Sequence, residues 1–390
     1  MRKKLFGSAL LAVSFIVAGF QADAQFETTV IGGSRPGNTP PVWVSLSGFA
    51  GEALQVLQFD LYVQGYNFTN AGGAQYLITG SNNGNLQGRV TDNVNKSVVV
   101  PTKSYSGASL RRQAHQFVDD FVEARRCKGI TKTKIAFKTV TGANSAIAIA
   151  DFDGFGAQTV AEDHTIVAAP CWAFDRFGLY YTSYKLGNPN IFYHDLSTGQ
   201  RRVFAKYPGL NTGAAVSRDG KRVAMILSKG GSPDVYVCDA DGGNLKRLTA
   251  TREDESSPCW SPDGQWICFA GKINERRALC KVRASGGPVQ RLATGGALNP
   301  TEPDWSPDGQ WIAFTAQQPR FQICVIPSAG GTATVLVDGE DSSWSPNSRT
   351  LVFTRRAGER RALSLLDVPT KQYKDVSRIS GSNSQPSWAN

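Results

Sequence analysis

Trp260-Ser261-Pro262-Asp263-Gly264 recurs without change at Trp305-Ser306-Pro307-Asp308-Gly309. Weaker copies of the phrase stand at Trp172 (Pro-Cys-Trp-Ala-Phe-Asp), Val216 (Val-Ser-Arg-Asp-Gly), Trp344 (Trp-Ser-Pro-Asn-Ser) and Trp388 (Pro-Ser-Trp-Ala-Asn). Successive anchor positions lie 44, 44, 45, 39 and 44 residues apart, the period of a four-stranded propeller blade. After each anchor comes an alternating apolar run, such as Trp266-Ile267-Cys268-Phe269 or Trp311-Ile312-Ala313-Phe314. A second run follows, then a Gly-rich turn and a short fourth run, so each unit reads as four strands joined by turns. In the phrase itself, Pro presets the first turn position, Asp263 or Asp308 bonds the following backbone, and Gly264 or Gly309 accepts the strained last geometry. The anchor tryptophans Trp172, Trp260, Trp305, Trp344 and Trp388 are expected to fill the wedges between neighbouring blades.

Asn390 lies two residues after the sixth anchor, while Lys134-Ile135-Ala136-Phe137 repeats the strand pattern with no copy of the phrase before it. The two fragments are therefore expected to pair, closing a six-bladed ring. Closure removes the open edges that a row of sheets would expose.

Met1 to Ala24 has a cationic start (Arg2, Lys3, Lys4), an apolar stretch from Leu5 to Phe20, and Ala22-Asp23-Ala24 as a small-residue cleavage site, the pattern of a signal peptide cut near Ala24. The apolar run is too short for a membrane span. Losing Arg2, Lys3, Lys4 and Asp23 takes the formal charge from +10 to +8. The densest basic cluster (Arg111, Arg112, Arg125, Arg126, Lys128, Lys132, Lys134 and Lys138), on the helix and the linker after it, has no interleaved aromatics and reads as a solvated helix face, not a nucleic-acid site. Seven cysteines leave at least one unpaired, and Cys259 and Cys268, flanking one hairpin, are placed as diagonal neighbours that permit a bridge.

Residues 25–129 differ in character from the repeats. Strands are read at Val42 to Leu46, Tyr76 to Thr79, Leu86 to Thr91 and Ser97 to Val100. A helix is read at Glu52 to Tyr62, with a strand as the alternative, and another from Leu110 to Gly129. The mixture predicts an α/β domain before the all-β propeller of residues 130–390.

The junction sequences make the reading more specific. The helix, Gly129, basic linker and Ile135-Ala136 strand, the turn Asp151-Phe152-Asp153-Gly154-Phe155, and the terminal Pro386-Ser387-Trp388 together resemble the TolB family, the periplasmic propeller proteins of the Tol-Pal system. The resemblance covers essentially the whole chain after the leader. It implies a non-enzymatic periplasmic adaptor that supports outer-membrane integrity and division, monomeric outside its complexes. It would bind the peptidoglycan-associated lipoprotein Pal through the propeller mouth. TolA would be bound through a strand falling on Phe26, Glu27, Thr28, Thr29, Val30 and Ile31. Positions matching the family's mouth contacts are Leu210, Asn211, Thr212, Glu255 and Ser256, with Leu210 standing where the family often has His.

The residues point to a similar surface on their own account. Alternate loops of a propeller emerge on opposite faces, so the loops entering each innermost strand share one mouth. They carry Glu162, Asp163, Glu253, Asp254, Glu255, Glu302, Glu340 and Asp341, with Arg252 as the obvious base. A carboxylate-lined mouth is expected to receive a basic protein surface or a cation in the tunnel. An enzyme related to the propeller-bearing peptidases is the alternative, although there is no Gly-x-Ser-x-Gly elbow and His115, His164 and His194 are the only histidines. Asp151-x-Asp153-Gly154 and Asp239-x-Asp241-Gly242 lack the remaining ligands of a calcium loop and read as turns. No cofactor is expected.

Overall fold

Each repeat buries one apolar run after another and leaves its turns polar, which forces a stack of short antiparallel strands. The computed structural model describes residues 36–251 and 253–389, so the leader and the Phe26 to Ile31 strand lie outside the described residues. Six four-stranded sheets form the blades. Their innermost strands, blades 1 to 6 in ring order, are Val167–Trp172, Asn211–Val216, Ser256–Trp260, Thr301–Trp305, Glu340–Trp344 and Ser382–Trp388. The expected closure is present. Ser382–Trp388 pairs antiparallel with Lys134–Thr141, with Trp388 opposite Ile135, and Asn144–Asp151 and Gln158–Glu162 complete blade 6.

The anchor tryptophans fill the wedges as expected, Trp305 only in part, and their indole hydrogen bonds differ. Indole Nε1 of Trp172, Trp260 and Trp344 each donates to a carbonyl of the preceding blade's innermost strand, at Ser387 (3.0 Å), Ala215 (2.9 Å) and Asp304 (3.2 Å). Each ring thus fills the wedge and satisfies its one polar atom there. Trp388 instead donates to Thr133 Oγ1 at 2.7 Å, tying the last strand to the linker before blade 6. Trp305 is only partly buried and turns back to Gly309 O of its own hairpin. The serine of the phrase has a role that sequence reading missed. Ser261 donates to Asp263 and accepts from Trp266 N (2.9 Å), and Ser306 does the same with Asp308 and Trp311 N. Asp263 and Asp308 also accept from Gln265 N and Gln310 N, and Gly264 and Gly309 take φ +66° and +77°.

The residues before the propeller form a sheet in the order β2-β1-β3-β4-β5. The strands are β1 (Val42–Ser47), β2 (Tyr66–Phe68), β3 (Tyr76–Ser81), β4 (Gln87–Asp92) and β5 (Val98–Ser104). Helix α1 (Gly51–Tyr62) and helix α2 (Leu110–Ala124) join it in one core with Val44, Leu57, Leu61, Phe117 and Phe121. In α1 the buried positions Ala53, Val56, Leu57, Asp60 and Leu61 follow helical spacing, which settles helix over strand. The three-residue β2 was not foreseen, being too short to show alternation. Helix α2 stops five residues before Gly129, whose place is fixed by packing: a Cβ there would lie 2.5 Å from the Asp119 carboxylate.

This unit sits on the turn face of blades 5 and 6. Gly37 N donates to Val368 O at 2.8 Å, Gln372 Nε2 to Tyr66 O at 3.1 Å, and Phe59, Val63 and Ile130 share a core with Ile135, Phe152, Leu365 and Trp388. Arg111, expected on a solvated helix face, is buried against Asp151 (3.0 Å) and Asp153 of blade 6. Behind it His115 Nδ1 meets Asp60 Oδ2 at 2.6 Å, both buried, and burial pushes the Asp60 carboxyl up to about 6. All seven cysteines are free. Cys259 and Cys268 stand directly opposite each other, not diagonally, in the apolar interior between blades 3 and 4.

Because Trp388 belongs to both the closing strand and the shared core, Trp388→Ala should lower unfolding stability by about 3–5 kcal/mol. Trp305→Ala should cost clearly less, since Trp305 is only partly buried and bonded within its own hairpin. Urea unfolding of the two variants beside wild type measures the difference; equal losses would contradict it.

Candidate functional site

The central channel, about 400 Å³, is walled by the innermost strands and runs from Thr212, Ser256, Glu302 and Asp341 at their mouth-side ends to Phe174, Arg218, Pro262 and Pro307 on the turn side. Its narrow ring is built by one repeated backbone device. Three residues before each anchor, Ala169, Gly213, Ser257, Glu302, Asp341 and Gln385 take φ of +50° to +64°. At each of these points the pairing with the second strand slips, as in a β-bulge. The slip turns the bulge residue toward its neighbour in the ring. Glu302 Oε2 accepts from Asp341 N (3.1 Å), Asp341 Oδ2 from Gln385 N (3.3 Å), and Gln385 Oε1 from Ala169 N (3.0 Å). Three consecutive blade boundaries are thereby linked head to tail. Ala169, Gly213 and Ser257 are too short to continue the chain, and between blades 1 and 2 Thr182 and Thr212 pair hydroxyls at 2.9 Å instead. The signal was present in the alignment, as a column of small or polar residues three before the anchor.

The expected mouth residues divide by environment. Thr212, Ser256, Glu302 and Asp341 line the channel. Asn211 is fully buried, its amide donating to Tyr207 O (2.8 Å) and Pro189 O (3.1 Å), so it shapes its loop and presents no contact surface. Glu255 is buried too. Its carboxylate accepts from Val235 N (3.1 Å), Thr249 and Thr251 Oγ1, which corrects its expected place on the rim. Leu210 packs partly buried against the core between blades 2 and 3. Glu253 is half-buried, and Asp254 is exposed.

The carboxylate-lined rim is corrected in the same way. Asp163 is held by Arg201 (2.9 Å) and Lys185 (3.5 Å), and Glu340 lies against Arg361 (2.8 Å). Inside the channel, burial and the adjacent Glu302 hold the Asp341 carboxyl well above the usual carboxylate range. Burial also pushes Asp304 up to about 6 while its carboxylate accepts from Trp344 N at 2.7 Å. Both carboxyls are therefore harder to ionise than solvent-exposed ones. Among the described residues no three His, Cys, Asp or Glu side chains converge as metal ligands. The two calcium-like segments are turns: Asp153 binds Arg111 and Arg378, and Asp241 accepts from Gly243 N. Among the histidines, His115 and His194 are buried and His164 is exposed.

A ring of six blades with a small α/β unit seated on its turn face defines a protein of the β-propeller class. Residues 124–390 match the model of the TolB beta propeller domain, and the chain belongs to the TolB β-propeller family. It is 29% identical over 331 residues to the Tol-Pal system protein TolB of Bordetella pertussis, and to that of Bordetella bronchiseptica, covering 82% of this chain and 75% of each relative. In fold it is similar to the TolB crystal structure from Acinetobacter baumannii, with a TM-score of 0.80 and 21% identity, over 92% of this chain and 98% of the other. Among the described residues no helix is long and apolar enough to cross a membrane.

The raised Asp341 carboxyl gives a pH signature. A group whose folded-state pKa lies above its unfolded value of 3.8 contributes fully below that value, and its contribution is lost as pH rises through the folded one. Asp341→Asn, which removes the ionisation and keeps the shape, should match wild type near pH 4. At pH 8 it should be more stable by about 1–3 kcal/mol. Urea midpoints at the two pH values measure this, and a difference independent of pH would contradict it.

Proposed function

We propose that this chain is the propeller adaptor of a Tol-Pal system, acting in the periplasm without catalysis. It has two working parts, an α/β unit over residues 25–129 and a propeller over residues 130–390. The propeller mouth takes the peptidoglycan-associated lipoprotein Pal, and the segment Phe26 to Ile31 takes TolA, coupling the two during outer-membrane maintenance and division. The observation that carries the reading is the asymmetry of the ring: among the described residues the α/β unit packs on the turn face through Arg111, Val63 and Ile130 and leaves the mouth face uncovered. A face that the described residues leave uncovered is where a second protein can bury area, and the Bordetella relatives are named as Tol-Pal system proteins, which supports the reading.

The test is a pull-down with the Pal domain and the TolA domain encoded in the same genome. Ser256→Tyr and Thr212→Tyr, which crowd the channel mouth, should weaken Pal capture at least about 10-fold without changing the circular dichroism spectrum. Deletion of residues 26–31 should abolish TolA capture and leave Pal capture intact. Equal Pal capture by wild type and both tyrosine variants would remove the mouth as the docking surface.

A further inference from the structure

One repeat position, five residues into the second strand of each blade beyond the residue opposite the anchor, lies at the mouth-side end of that strand. It is occupied by Val140, Tyr184, Ser228, Lys272, Gln317 and Arg356 in blades 6, 1, 2, 3, 4 and 5. The ring is therefore polarised. Val140 and Tyr184, each 37% exposed, make an apolar sector that Ile166 (47%) and Leu186 (45%) extend. The cations Lys272 and Arg356 flank blade 4, which lies across the channel from blade 1.

Both cations face another cation. Lys272 stands directly opposite Arg277, and Arg356 directly opposite Arg361. A like-charged pair in that relation destabilises a hairpin, so neither arrangement serves the fold. In blade 5 the second member has its own acid, Glu340 at 2.8 Å, and Arg355 has Asp375. In blade 3 the position equivalent to Glu340 is Ser256, and the Lys272–Arg277 pair has no carboxylate partner among the described residues. Arg276 and Arg360 add an exposed charge to each hairpin, against the tip residues Glu275 and Glu359, which form no ion pair with them. The mouth face thus presents two cationic arms beside the exposed rim acids Glu162 and Asp254.

From this pattern we infer that the mouth reads an acidic protein surface. The partner sets its carboxylates against the hairpins of blades 3 and 5 and its apolar contacts against blade 1, so charge fixes the rotation at which it docks on a pseudo-sixfold ring. The inference rests on the mouth being the Pal-binding face, and it specifies the chemistry of that partner's surface. The polarity matters because six similar blades offer six similar orientations, and only an uneven distribution of charge selects one.

The test measures association of the full chain with the soluble Pal domain at about 50 and 300 mM salt. Charges on the arms act mainly on the encounter. Arg277→Glu with Arg356→Glu should lower the association rate at low salt by at least about 10-fold and flatten its salt dependence. Arg112→Glu with Lys221→Glu, the same charge change away from the mouth, should change the rate less than about 2-fold. In the absence of partner, Lys272→Gln should raise the melting temperature by about 1–3 °C by relieving the like-charged pair, and it shows that the hairpin tolerates substitution. If wild type binds and the reversal on the arms slows it no more than the control, the charge reading is overturned and the adaptor reading stands. If wild type does not bind at all, both fall. Faster association of the reversed variant would mean a basic partner and would also overturn the inference.

Discussion

The pairing of Ser382–Trp388 with Lys134–Thr141 is the constraint on which the rest of the molecule depends. It completes the sixth four-stranded sheet from the two ends of the repeat array and so turns a row of blades into a closed ring. It also joins the last residues of the repeats to the first, so that the linker from α2, the Arg111 clamp and the Trp388 to Thr133 bond all converge on blade 6. Blade 6 is at once the closure of the ring and part of the seat of the α/β unit. Loss of that pairing would open the wedge and undercut the seat together, because Val63 and Ile130 share one core with Ile135, Leu365 and Trp388.

Seating the α/β unit on the turn face decides where a partner can bind. The turns on that side are stiffened by the Ser-to-Asp bonds of the repeat phrase. On the other side three of the six left-handed bulges join blades 4, 5, 6 and 1 through Glu302, Asp341 and Gln385. Half of the inner ring is thus tied by the bulge side chains themselves, while at Gly213 and Ser257 the neighbouring blades are joined by other groups, the Thr182–Thr212 hydroxyl pair and the Trp260 indole. The bulge conformation is costly for Ala169, which lacks glycine's freedom. It is held there by the strand pairing on either side and by the bond from Gln385.

Much of this was legible in the residue order, and the exceptions have physical causes. The anchor period and the orphaned Ile135-Ala136-Phe137 run foretold six blades and their closure, because alternation and spacing are local properties. The fate of single side chains at the mouth was not legible. A bulge three residues before each anchor reverses the in-and-out alternation, so Glu255 and Asn211, which look like loop-tip residues, point into the protein. The acids were neutralised by residues remote in sequence: Asp163 meets Arg201, and Glu340 meets Arg361, on strands of the same blades. Counting charges along the entering loops alone missed the hairpins between second and third strands, which carry the bases. Arg111 could not be told from its exposed neighbour Arg112 without knowing which face of α2 meets blade 6.

Hydrogen exchange of the free protein, resolved to the strand, tests the closure most directly. Amides of residues 383–388 and 135–140 should exchange only through global unfolding, at rates matching the second and third strands of blade 3. Exchange of the closing strand orders of magnitude faster than those strands would mean that the ring opens independently of the rest, and the account of one cooperative closed scaffold would fail.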